Sequence, residues 1–186
     1  TTTNKVFTKR LLDTYNIPTP KWITSKNISA GIRFSTPFII KPIYEDASVG
    51  LDDSSIVYDF KNLQTEFSDR VIKYGECFIE EFIDGREFNI SILDTEQGVK
   101  VLPIAEIRFK DYPEGKAKIV SYDAKWDENS FEYSHTVRHF DFEENDKPLL
   151  EELKKVTLKC WEKFNLSGYA RVDFRVDEKK VFMYWK

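Results

Sequence analysis

The chain reads as an α+β protein of two lobes built largely from antiparallel sheet with helices, and three features predict this. Strand-like and helix-like segments mix without strict βαβ alternation, which argues against a doubly wound parallel sheet. The stretch Arg86 to Leu93 alternates apolar and polar residues, as a half-buried strand does. Asp84-Gly85 lies between two strand-like runs, where such a dipeptide favours a tight hairpin.

Taken in order, Val6-Phe7, Leu11-Leu12 and Tyr15 recur at helical spacing behind Thr3 and Asn4 as caps, and Pro18 and Pro20 end the pattern. Pro37 to Pro42 is a short apolar run bounded by prolines, read as a buried strand with Lys41 emerging at its end and a loop, Ile43 to Gly50, after it. Asp59 is placed to cap a helix with the stripe Phe60, Leu63, Phe67, Val71 and Tyr74, and Gly75 to end it. Cys77 to Ile83 and Arg86 to Leu93 form the arms of the expected hairpin, and further strands are expected at Val99 to Ile107, Ala117 to Tyr122 and Tyr169 to Val176. Leu149, Leu153, Val156, Cys160 and Phe164 mark a long helix opened near Asp146 and Pro148. Gly85 is the place to divide the chain, giving lobes at 1–85 and 86–186.

A chain of 186 residues, 41% hydrophobic and 15% aromatic, suffices for one core or two small packed lobes. With 28 basic and 32 acidic residues the net charge is -4, and no basic run offers a footprint for nucleic acid. Cys77 and Cys160, distant and each within an apolar stretch, suit buried free thiols in a reducing compartment rather than a disulfide framework. No signal-peptide pattern is seen and no apolar run approaches the roughly 18 residues of a membrane span, so neither membrane nor nucleic acid is an expected partner and the cytoplasm is the expected location.

Four elements carry candidate chemistry. Lys41 before the small-residue loop containing Glu45 and Ser48 supplies what a phosphate chain needs, a point charge with loop N–H groups and a hydroxyl; the alternative is an ordinary solvated lysine. Glu80-Glu81-Phe82-Ile83 offers edge-strand backbone groups for an adenine rim, and Glu87 an acceptor for ribose hydroxyls; the alternative is a charged edge that prevents aggregation. Tyr122-Asp-Ala-Lys125-Trp126 is a second lysine among aromatics. Arg171-Val-Asp173 places both polar side chains on one face of a strand, suiting either a plain salt bridge or a site with an oxyanion and a magnesium ion. His135 and His139 are four apart in what reads as an exposed loop or strand, which does not make a zinc site.

The order of these elements closely resembles the D-alanine-D-alanine ligase branch of the ATP-grasp enzymes. The match runs from Asn4-Lys5 and Ile17-Pro-Thr-Pro20 through Lys41-Pro, Glu45, Ser48-Val-Gly50, Glu80 to Glu87, Leu102 to Glu106, Asp123-Ala-Lys125 and Gly168-Tyr-Ala-Arg171-Val-Asp173, essentially the whole chain. The resemblance implies an ATP-grasp fold in which a small lid lobe with a leading helix, 1–85, and a large lobe, 86–186, clamp ATP. It implies that Lys5, Lys41 and Lys125 contact phosphates, that the Glu45 and Ser48 loop closes over them, that Glu80, Glu81 and the Ile83 backbone read adenine, and that Glu87 holds the ribose. Asp173 would bind magnesium, with manganese as an alternative ion, and Arg171 and Lys125 would be catalytic, Arg171 supporting the oxyanion.

The implied activity is carboxylate–amine ligation through an acyl phosphate, as in peptidoglycan biosynthesis, with ATP and small amino acids as partners and a homodimer left open. A nucleotide-binding module that regulates or scaffolds is the alternative. Three departures stand out: the strand Val181 to Lys186 does not run into the family's Glu-x-Asn magnesium pair, no domain precedes Thr1, and Ala47 and Trp126 stand where the family pattern has serine and tyrosine. The first two imply an ATP-binding core lacking the N-terminal domain and C-terminal segment of a complete enzyme. The third implies that two hydroxyls which order a lid are missing and that Trp126, with Arg171, meets the substrate.

Overall fold

The computed structural model describes residues 3–28, 31–178 and 182–184, so part of the Val181 to Lys186 run lies outside the described residues. Among the described residues all strand pairing is antiparallel, in two sheets. The chain packs as two compact units, the first from the described residues of Thr1–Arg10, Pro20–Phe82 and Phe109–Thr136, the second from Leu11–Thr19, Ile83–Arg108 and Val137–Lys186. The stretch Phe109–Thr136 thus packs with the first unit although it follows residue 85 in sequence.

Helix α1 (Lys5–Thr14), which belongs to the first unit as far as Arg10 and to the second from Leu11, begins where the Asn4 carboxamide accepts the Phe7 N–H at 2.8 Å. In the first unit, strands β1 (Trp22–Thr24), β2 (Phe38–Pro42), β3 (Ile56–Val57) and β4 (Cys77–Glu81) form a sheet in the order β1-β4-β2-β3, with a short helix α2 (Ser25–Ile28) after β1. Asp59 caps a 3-10 turn, Phe60–Asn62, by accepting from the Lys61 N–H, and helix α3 (Leu63–Tyr74) follows until Gly75, at φ 77 and ψ -147, takes a positive-φ conformation that side chains disfavour and that ends it. Leu63 and Phe67 of α3 pack on Phe38, Ile40, Cys77 and Ile79 from one face of the sheet. Phe60 and Val71, expected on the buried stripe, are exposed, and Arg70 is buried instead.

The second unit contains β5 (Arg86–Thr95), β6 (Gly98–Val101), β7 (Ala105–Phe109), β8 (Thr136–His139), β9 (Tyr169–Val176) and β10 (Phe182–Tyr184), in the order β10-β9-β5-β7-β8 with β6 paired to β5. Two short helices that precede β8 in sequence, α4 (Asp123–Trp126) and α5 (Phe131–His135), belong to the first unit, while α6 (Lys147–Lys163), in the second, carries Pro in its first turn as the sequence predicts. Phe88, Ile90, Val172 and Phe174 point from β5 and β9 into a core closed by Leu149, Leu153, Val156 and Cys160 of α6 and by Leu12 and Ile17.

Two local expectations are corrected. Cys77–Glu81 and Arg86–Thr95 are not a hairpin: they lie in different sheets, β4 bonded to β1 and β2, β5 to β6, β7 and β9. Long-range pairing outweighs the turn preference of Asp84-Gly85, and the glycine serves close approach, since a Cβ there would lie 2.0 Å from the Val176 carbonyl oxygen. Ala117 to Tyr122 is irregular, its apolar Ala117 and Ile119 buried without strand pairing. His135 ends α5 and His139 ends β8, and among the described residues no group of three or more His, Cys, Asp or Glu is placed to hold a metal ion.

Candidate functional site

Strand alternation on β2 and β4 sends Lys41 and Glu80 to the sheet face opposite α3. Both are 1% exposed, and the Lys41 ammonium donates to Glu80 Oε1 at 3.2 Å. Lys9 Nζ lies 3.0 Å from Glu80 Oε2, making the carboxylate the centre of a buried ion triad. Lys9 stands one helical turn after Lys5 on α1, so both reach the same face. Burial lowers the Lys41 pKa from its ordinary value to about 7; Glu80 raises it, while the positive fields of Lys9 and Lys5 lower it further. Lys41 is therefore not the solvated strand-end lysine of the alternative reading.

The loop after β2 is built by backbone conformation. Ala47 and Ser48 take positive φ of 54 and 66, and the Lys5 ammonium donates to the Glu45 carbonyl and lies 3.9 Å from Asp46. Ser48 Oγ donates to the Val120 carbonyl at 2.7 Å, the Tyr122 N–H donates to the Leu51 carbonyl at 3.1 Å, and Trp126 Nε1 donates to the Ala47 carbonyl at 3.1 Å. The indole, 59% exposed, thus supplies a donor whose acceptor is backbone, so the residue at 47 needs no hydroxyl. Lys125, half-buried, precedes it on α4. At the loop's far end the buried Arg70 donates to the Gly50 carbonyl at 2.5 Å, to Ser54 at 2.8 Å and to Asp52.

Glu81 and Ile83 do not offer an edge strand, because β1 pairs with β4 on one side and β2 on the other. The Glu81 N–H donates to the Lys21 carbonyl and the Phe82 N–H to the Pro37 carbonyl. Ile83 lies past the end of β4, half-buried.

In the second unit the register of β5 against β9 pairs Glu87 with Arg175, Asn89 with Asp173 and Ser91 with Arg171, so these six share the sheet face opposite Phe88 and Phe174. Asn89 Nδ2 donates to Asp173 Oδ1 at 3.0 Å, while Arg171 grips the same carboxylate with Nε and Nη2 at 2.7 and 2.8 Å. Both Asp173 oxygens are thereby engaged, and as it stands the pair does not fit a magnesium ion unless the fork opens. Glu106 receives Arg86 Nε at 2.7 Å, and Arg86 also donates to Asp146 at 2.5 Å, tying β7 to the start of α6.

The structure thus brings together Lys5, Lys41 and Glu80, seats Glu45 and Ser48 in a loop held to the segment before Lys125 and Trp126, and lines Glu87, Arg171 and Asp173 along one face. Sequence reasoning missed Lys9, Arg70 and Arg175. The four-residue spacing from Lys5 could have signalled Lys9; Arg175 stands at the alternation position of Arg171 and Asp173 and could have been found the same way.

A family model described as "D-ala D-ala ligase C-terminus" matches residues 15–184. A D-alanine–D-alanine ligase from Aquifex aeolicus (strain VF5) is 32% identical over 185 residues, covering 96% of this chain and 56% of the relative. The crystal structure of D-alanine–D-alanine ligase from Bacillus anthracis superposes with a TM-score of 0.72 at 29% identity over 99% of this chain and 55% of that one, and the same enzyme complexed with ATP gives 0.67 at 25% identity over 99% and 53%. The chain spans about half the length of the relatives it matches. With its two antiparallel sheets, the chain belongs to the D-alanine-D-alanine ligase C-terminal family and has the ATP-grasp fold.

Proposed function

We propose that this chain is the ATP-binding part of a carboxylate–amine ligase that joins small amino acids. The observation that carries the reading is Lys41: an ammonium withdrawn from water at the root of a loop, in a positive field from Lys9 and Lys5. Burying cations is costly unless negative charge answers them; Glu80 is one such charge, shared between Lys41 and Lys9, and a triphosphate would be a further one. On this reading Lys41 and Lys125 hold phosphate oxygens, and Lys5 steadies the Glu45 to Ser48 loop from which backbone N–H groups meet the anion. Glu80 orients Lys41, while Glu81 and the Ile83 backbone stand beside the adenine. Glu87 accepts ribose hydroxyls. Trp126, fastened to Ala47, borders the amino-acid substrate.

The chemistry that follows is activation of a carboxylate by phosphoryl transfer, because phosphate leaves and a carboxylate oxygen does not, and then attack by an amine. Arg171 is the cation available to steady the oxyanion of that attack. Asp173 becomes available to a divalent ion once the Arg171 fork opens. The closed fork is also what favours the second reading, a nucleotide-binding module without ligation.

Titration calorimetry tests the first step: Lys41→Ala and Lys125→Ala should each weaken ATP binding by about 1.5 to 3 kcal/mol, as lost charge-assisted contacts do. Unchanged affinity in both removes the phosphate assignment. A phosphate-release screen over D- and L-amino acids separates ligase from module, and Trp126→Tyr should alter the amino-acid profile more than ATP affinity.

A further inference from the structure

Arg175 is 2% exposed, on the polar face of β9 but deeper than Arg171. Its Nη2 donates to Glu87 Oε2 at 2.7 Å and its Nη1 to the Gly85 carbonyl at 3.1 Å. One guanidinium therefore fixes both an acidic side chain and the backbone just before the strand that carries it. Taking a guanidinium and a carboxylate out of water is unfavourable, and an apolar cross-strand pair of similar volume often stabilises as well or better. Such a pair is better explained by direction than by stability, since the planar fork of arginine dictates where a carboxylate points. Burial pulls the Arg175 pKa below its ordinary value and Glu87 opposes the shift, but an arginine stays protonated at neutral pH and so sets a cation against the Glu87 carboxyl group. An ionised carboxylate is an acceptor only, which suits hydroxyl donors.

Resting on the reading that Glu87 accepts ribose hydroxyls, we infer that Arg175 is a positioning residue for sugar recognition, holding Glu87 so that the chain selects ribonucleotides over deoxyribonucleotides. Arg175 acts not by touching the nucleotide but through Glu87 and the Gly85 carbonyl.

The experiment measures dissociation constants of ATP, 2′-deoxy-ATP and 3′-deoxy-ATP by calorimetry with the natural full-length protein and its Glu87→Gln, Arg175→Gln and Arg175→Lys variants. The unaltered protein is expected to prefer ATP over at least one deoxy analogue by about ten- to a hundredfold, the worth of a hydrogen bond to a charged group. Glu87→Gln and Arg175→Gln should each bring that ratio close to unity, and combining them should lower it no further. Arg175→Lys, which keeps the cation and loses the fork, should lower it in part; it decides the matter if Arg175→Gln does not fold. Full discrimination in a folded Arg175 variant, or an equal loss of affinity for all three nucleotides, overturns the role of Arg175 while Glu87→Gln still reports the ribose contact. Full discrimination in Glu87→Gln overturns the ribose reading itself.

Discussion

Lys41 shows how one residue changes meaning between sequence and fold. By sequence it ends an apolar strand; in the fold it is closed in by β4 and α1 and depends on Glu80. Its pKa lies near 7 because burial opposes charge. Since this is a depressed lysine, its contribution to stability is full above the ordinary value of 10.5 and is lost as pH falls through about 7, where the buried amine must charge. A triphosphate reverses that preference by drawing the proton on. ATP binding at pH 8 should therefore take up as much as about one proton, read from calorimetry in buffers of different ionisation enthalpy. Lys41→Met should abolish the uptake; equal uptake in variant and parent would show that another group titrates.

Elements were legible where their own residues determine them and misleading where distant strands compete. The caps at Asn4 and Asp59, the stop at Gly75 and the proline in the first turn of α6 are local, and the sequence predicts them. Asp84-Gly85 fails as a hairpin because β1 and β2 already occupy both edges of β4, leaving β5 to pair elsewhere. Gly85 is then required by contact with β9. Gly85→Ala should destabilise the chain by about 1 to 3 kcal/mol or more, the cost of overpacking against unyielding backbone, as measured by denaturant unfolding. A change within about 0.5 kcal/mol would mean that β9 yields freely at Val176.

At the scale of the molecule each unit has its own core and each core holds one thiol, Cys77 in the first and Cys160 in the second. Burial pushes these thiols up to about 11 and about 12 from an ordinary 9.0. Raised acids stabilise fully below pH 9 and lose that contribution as pH climbs toward their folded values. Both thiols should resist a thiol reagent at pH 8 until their own unit opens, so labelling with Cys77→Ser and Cys160→Ser as single-thiol forms reads each unit separately. Fast labelling of either in native buffer would contradict its burial. Among the described residues no helix is long and apolar enough to cross a membrane.

What the sequence by itself determined is the set of parts: the antiparallel α+β class, the three longest helices with their end signals, and the residue order Lys41, Glu80, Glu87, Lys125, Arg171 and Asp173 that resembles the family. The class and the helices follow from periodicity and spacing, which a chain carries locally; the residue order carries the resemblance. Only the tertiary structure decided which charges meet. That Lys9 completes the Glu80 pair, that the Trp126 indole takes the Ala47 carbonyl and that Arg175 holds Glu87 all depend on partners at least 70 residues apart in sequence. Sheet order and strand register bring them together, and no local preference encodes either.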